Sequence, residues 1–128
     1  MTIFSRIING EIPCHKIAEN DKFFAFLDIN PVQEGHTLII PKREEDYIFD
    51  ISDEELGEMI IFAKGIAKAI KAHTGCVKVG VSVIGLEVPH AHIHLIPMNK
   101  MGDLDFNKKQ ETDHEALAKA AEGIRSKL

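Results

Sequence analysis

The stretch Pro89-His90-Ala91-His92-Ile93-His94-Leu95-Ile96-Pro97 places an imidazole at every second position and holds three of the chain's seven histidines. Side chains alternate faces along an extended strand. His90, His92 and His94 therefore share one face, while Ala91, Ile93 and Leu95 take the other and can anchor the backbone on a core. An imidazole row held on a rigid element supports two kinds of chemistry. Imidazole is the commonest protein ligand for zinc and also binds copper and nickel, so the row could supply two or three metal ligands. That use needs a further ligand or an open water position, and no acid or thiol lies inside the row. The other use is nucleophilic and acid/base: a histidine of reference pKa about 6.5 can attack or pass protons near neutrality while its neighbours fix tautomer and orientation.

The elements that must position the row lie on both sides of it. Ile3, Phe4, Ile7 and Ile8 have helical spacing up to Asn9-Gly10, and Pro13 forces an extended backbone on Ile12. Residues 15–19 and 23–28 read as a hairpin around Asn20-Asp21, and Thr37 to Pro41 as a third strand. Ser52 and Glu55 form a capping-box pattern before Leu56, Met59, Ile60, Ala63, Ala67 and Ile70, which predicts a long helix over 53–73 ending near Gly75. Alternating patterns over 78–84 and 88–97 predict two more strands. Thr112 with Glu115 predicts a capped closing helix through Leu117, Ala120, Ala121 and Ile124, after a solvated loop carrying Asp103, Asp105 and Lys108-Lys109. Strands grouped in runs point to an antiparallel α+β domain and not to a doubly wound parallel sheet.

Composition sets the outer bounds. With 128 residues, 45% hydrophobic and 27% charged, one domain over 1–128 with a buried core is expected. A net charge of −5 argues against general binding to nucleic acid. No apolar run reaches the length of a membrane span, so neither nucleic acid nor membrane is an expected partner and the expected location is cytoplasmic. Cys14 and Cys76 are too few for a disulfide framework and read as reduced thiols with a packing role.

His90-x-His92-x-His94 followed by Leu95-Ile96-Pro97 resembles the signature of the histidine triad (HIT) family of nucleotide hydrolases and transferases. Ile3-Phe4-Ser5-Arg6-Ile7-Ile8-Asn9-Gly10-Glu11-Ile12-Pro13 is similar to the family's usual opening, as are Ala25 to Pro31 and Gly35 to Lys42 in their places. The resemblance covers residues 2–97 and is closest to the small Hint-like branch, leaving 98–128 as a variable tail with a helix. It implies a HIT-like fold: an antiparallel five-stranded sheet, one long helix, a short N-terminal helix and a C-terminal helix. It also implies a homodimer joined through the long helix and the strand near 78–84, and a purine nucleotide as ligand.

Position by position, the resemblance implies that His92 is the nucleophile toward an α-phosphorus, forming a covalent nucleotidyl-histidine. His94 would contact phosphate oxygens or the leaving group, and His90 with His36 would orient His92. Gly85 would bring its amide to the phosphate, where the missing Cβ permits close approach. Asp28 would accept hydrogen bonds from the ribose, and Ile3, Phe4, Ile7, Phe26, Ile29 and Leu38 would enclose the base. His15, His73 and His114 match no family position and read as surface residues.

Several positions depart from the pattern. Many members bind zinc through Cys-x-x-Cys and two histidines, whereas Thr2 and Ser5 stand at the cysteine positions, so no structural metal and no cofactor are expected. Leu86 replaces a usual glutamine, Glu87 replaces a hydroxyl residue that contacts phosphate, and Ser82 is left to substitute for an asparagine. The expected function is hydrolysis of nucleoside monophosphate amides or esters without a catalytic metal. The alternatives are a nucleotide-binding regulatory or scaffold protein with vestigial hydrolysis, and a metal-dependent hydrolase using the histidine row.

Overall fold

The structure is a computed structural model that describes residues 1–128. A short helix α1 (Ile3–Ile8) leads into three strands, β1 (Lys16–Glu19), β2 (Phe23–Leu27) and β3 (Thr37–Pro41). The long helix α2 (Asp53–Thr74), strands β4 (Lys78–Ser82) and β5 (Ile93–Met98), and the closing helix α3 (His114–Arg125) follow. The five strands form one antiparallel sheet in the order β1-β2-β3-β5-β4, which confirms the expected α+β class and HIT-like arrangement.

Strand parity divides the core between the sheet's two faces. Phe23, Ala25 and Leu27 of β2, Ile39 of β3, and Ile93 and Leu95 of β5 pack with Met59, Ile66 and Ile70 of α2 and Leu117 and Ile124 of α3. Phe24, Phe26, Leu38 and Ile40 face the other way, where Phe4 of α1 covers them. In the ladder Leu38 lies opposite His94, and so does Ser82 on the other side. His94 therefore stands mid-sheet on the α1 face.

Helix ends follow local chemistry. Ser52 Oγ accepts from Glu55 N at 3.2 Å, and Gly75 ends α2 with a left-handed φ of 71° that its missing Cβ permits. At α3 the cap is Asp113, whose carboxylate accepts from Ala116 N at 2.7 Å, in place of the expected Thr112. A carboxylate at that position also complements the helix dipole.

Four expectations need correction. β4 stops at Ser82, and β5 begins at Ile93 instead of Val88, because Gly85 turns the chain at φ 72° and Pro89 cannot donate to a ladder. His90 and His92 thus precede the regular strand, yet His92 and His94 stay side by side, their rings 4.8 Å apart. Asp103 is buried, not solvated: it accepts from the backbone N–H groups of Asn99 at 2.7 Å and Lys100 at 3.1 Å. His15 and His73 are half-buried contacts between elements, while His114 is exposed as expected. His15 Nε2 meets His114 Nδ1 at 3.2 Å, and the His73 ring lies over Gly123 of α3, where a Cβ would fall 2.1 Å from it.

Candidate active site

Two hydrogen-bond chains fix the tautomers of the rings. Val32 N–H donates to His36 Nδ1 at 3.0 Å, so the neutral His36 ring carries its proton on Nε2. That Nε2–H donates to His94 Nδ1 at 2.9 Å, which leaves the His94 proton on Nε2. His92 Nδ1–H donates to the His90 carbonyl at 2.7 Å, so its Nε2 holds a free lone pair. The hydrogen bonds of His92 and His94 run through Nδ1, which leaves both Nε2 atoms to the cleft that the two rings line. The site thus offers a nucleophilic nitrogen beside a hydrogen-bond donor.

Burial keeps these rings neutral. Desolvation is the largest cause of a lowered pKa in His92, ahead of the opposing bond to His90. His94 is pushed down to about 3 by desolvation and then by its histidine neighbours and Lys109. His36 is lowered to about 4 by desolvation, against the pull of Asp28, whose carboxylate lies 3.7 Å from Nε2.

The structure divides the supporting network differently from the expected arrangement. His36 orients His94 and does not bond His92; His92 is oriented by the backbone of His90. The fully buried His90 ring points away, its Nε2–H donating to Pro41 O at 2.8 Å and its Nδ1 accepting from Thr2 Oγ1 at 2.8 Å. Thr2 N donates to Glu44 Oε1 at 2.7 Å, and Ser5 Oγ donates to the same oxygen. Hydroxyls are poor zinc ligands, and both are already engaged, so this corner does not fit a structural zinc. Asp28, His36 and His94 do bring three ligand atoms within 4.8 Å of one another. A metal there would have to break the His36–His94 hydrogen bond.

Other expected site residues divide by place. Phe4 stands edge-on to His92 at 5.0 Å and to Phe26 at 5.6 Å, so α1 buttresses the triad. Phe26 and Leu38 are buried in the same cluster and Ile7 packs half-buried against it, but Ile3 and Ile29 remain 50% and 56% exposed. Asp28 Oδ1 accepts from Asn30 N at 2.8 Å, which sets the carboxylate beside His36. Gly85 lines the cleft with His92 and His94. Ser82 lies in register with His94 on the neighbouring strand.

The sequence reading missed the tail's part in the site. Phe106 stands edge-on to His94 at 4.8 Å, and Asn107 and Lys109 line the cleft. The one available signal was an isolated aromatic in the polar run Asp105-Phe106-Asn107-Lys108-Lys109. Glu44 was missed as well, since its role depends on a contact across 39 residues.

An antiparallel sheet carrying a tautomer-fixed imidazole pair beside an open cleft defines a histidine-based enzyme of the α+β class. The family model for the HIT domain matches residues 9–101, and the chain belongs to the HIT family, as one of its hydrolases. It is 41% identical to adenosine 5'-monophosphoramidase HNT1 of Saccharomyces cerevisiae over 98% of this chain and 82% of that protein. Among solved structures, a Hit-like protein of Bartonella henselae involved in cell-cycle regulation superposes with a TM-score of 0.88 at 32% identity, covering 99% and 96% of the two chains. A Zn-bound histidine triad family protein of Mycobacterium smegmatis superposes at 0.84 with 25% identity, covering 98% and 91%.

Proposed function

We propose that this protein hydrolyses nucleoside 5'-monophosphoramidates, purine preferred, through a covalent nucleotidyl-histidine on His92. The observation that carries the reading is the free Nε2 lone pair of His92, held toward the cleft by the Nδ1–H bond to His90 O. The name of the yeast relative supplies the substrate class. Attack by Nε2 forms an N–P bond as the P–N bond of the substrate breaks, and the departing amine takes a proton from water at the open side. The substituted ring is then a cation stabilised by His90 O, which makes it a good leaving group. Water attacks phosphorus, loses its proton to solvent, and the N–P electron pair returns to His92. His94 Nε2–H and the Gly85 amide serve phosphoryl oxygens through this sequence. Asp28 takes the ribose, and Phe4, Ile7, Phe26 and Leu38 border the base, with Ile3 and Ile29 at its rim. Ser82 supports His94 from β4.

The protein acts as one domain over 1–128 and as a homodimer. Ile60 and Ile61 of α2, Val81 of the sheet-edge strand β4, and Val83, Ile84 and Phe49 beside it are exposed apolar side chains. A two-fold copy would cover them and extend the sheet. No helix is long and apolar enough to cross a membrane, and a cytoplasmic location suits the two free thiols.

Steady-state hydrolysis of an adenosine 5'-phosphoramidate bearing a fluorescent amine tests the reading, with wild type and His92→Ala each assayed with and without EDTA. Turnover that requires His92 and persists in EDTA is expected. Tight AMP binding without turnover would make the protein a nucleotide-binding regulator, and loss of activity in EDTA would restore the metal reading.

A further inference from the structure

The cleft in front of His92 and His94 has a volume of about 300 Å³ and two walls of different origin. Residues 84–87 form one, and Phe106, Asn107 and Lys109 of the tail form the other. The tail wall is anchored on both sides of Lys109. Phe106 packs on His94, while Gln110 donates its backbone N–H to Pro31 O at 2.8 Å and its Nε2 to Val32 O at 3.2 Å. Lys109 is the one cationic side chain lining this cleft, and Glu87 is the one anionic side chain. They face each other at 3.8 Å, with the Glu87 side chain 87% exposed. A pair this open contributes little and exchanges readily for another anion. The positive charge of Lys109 nonetheless reaches the histidine network, where it adds to the lowering of His94 and of His36 behind it.

The nucleoside side of the site, at Asp28, Phe4, Phe26 and Leu38, does not line this cleft. A phosphorus held at His92 must therefore direct its leaving group between the two walls. We propose that Lys109 is a specificity residue for the leaving group, favouring one that carries an anionic substituent, with Glu87 occupying that place when the cleft is empty. The proposal rests on the hydrolase reading above. An arriving carboxylate or phosphate displaces Glu87 and keeps Lys109 paired, whereas a neutral leaving group leaves the existing pair as it is. Glu87 thereby has a role compatible with an anionic substrate, as the counter-ion that yields Lys109 to it.

The test compares kcat/KM for two adenosine 5'-phosphoramidates built on one amine skeleton, β-alanine and β-alaninamide, and adds diadenosine triphosphate as a phosphate-bearing leaving group. Wild type is expected to favour the carboxylate over the amide, and Lys109→Gln to lower that ratio by about threefold to tenfold, the range for a partly exposed charge contact. Glu87→Gln should raise the ratio, and Lys108→Gln, the neighbouring lysine outside the cleft, should leave it in place. A Lys109 effect confined to the triphosphate, measured against the amide, assigns the anion to a polyphosphate. A ratio near one in wild type for both anionic substrates, or one unmoved by Lys109→Gln, overturns the proposal. Turnover of the neutral amide in wild type and its loss in His92→Ala report separately on the hydrolase reading; without turnover of any substrate, both readings fall.

Discussion

His92 and His94 have the same side chain on one short segment, and hydrogen-bond direction gives them different protons. One ring presents a lone pair and its neighbour an N–H, because His90 O and His36 Nε2–H take opposite roles toward them. His36→Ala removes the donor that fixes the His94 tautomer, and kcat/KM should fall by about a hundredfold, in the range for the loss of one positioned donor to a phosphoryl oxygen. A nucleophilic imidazole must be unprotonated, and burial lowers the His92 pKa from the model-peptide value of 6.5. The acid limb of kcat/KM against pH should therefore lie below 6.5, and a stopped-assay profile from pH 4 to 9 checks it. A limb at or above 6.5 would show that the free His92 ring is not the titrating nucleophile. The histidines themselves were legible from their two-residue spacing, but no sequence pattern states that the His90 ring turns to Pro41 and Thr2, or which carbonyl or imidazole each of the other rings will meet.

At the scale of elements, α1 is tied to the triad by the Thr2, Ser5, Glu44 and His90 cluster. His90 is fully buried, so Thr2→Val strands its Nδ1 and should cost about 1–3 kcal/mol in urea unfolding. Helices α2 and α3 meet where the His73 ring occupies the space a Cβ on Gly123 would need. In a His73→Ala background, Gly123→Ala should stabilise by about 0.5–1 kcal/mol through helix propensity alone. In wild type the same change must displace the ring, so a double-mutant cycle should show the two sites coupled. Additive effects would contradict the packing. Element types were readable along the chain because apolar period and capping residues are local properties. Boundaries at 83–92 were not, since His90 N bonds Val88 O and Ala91 N bonds Glu45 O, a local bond and a distant one that replace the ladder.

For the whole molecule, buried neutral histidines make stability depend on acid. His36 and His94 titrate at about 4 and about 3 in the folded chain, below the 6.5 of an unfolded histidine. Between those values the unfolded state binds more protons, so stability is complete above about 6.5 and falls as the pH drops toward 4 and then 3. Calorimetry should give a flat Tm above pH 6.5 and a declining one below, with a shallower decline in His36→Gln. At the same scale, Val81→Asp places a charge on the exposed edge of β4, and light scattering should show the dimer converted to monomer with the sheet intact by circular dichroism. A wild-type monomer would remove the dimer proposal.

The sequence by itself determined the α+β class, the long capped helix, the pairing of His92 with His94, and the departures at Thr2, Ser5, Leu86 and Glu87. These depend on residue type and on periods of two or 3.6 residues, which operate within one element. Tertiary structure alone decided that His36 serves His94, that Glu44 closes the corner at His90, and that Phe106 and Lys109 form a wall of the cleft. Each of those contacts joins residues far apart in the chain, and their pairing is fixed only when the sheet order β1-β2-β3-β5-β4 brings the segments together.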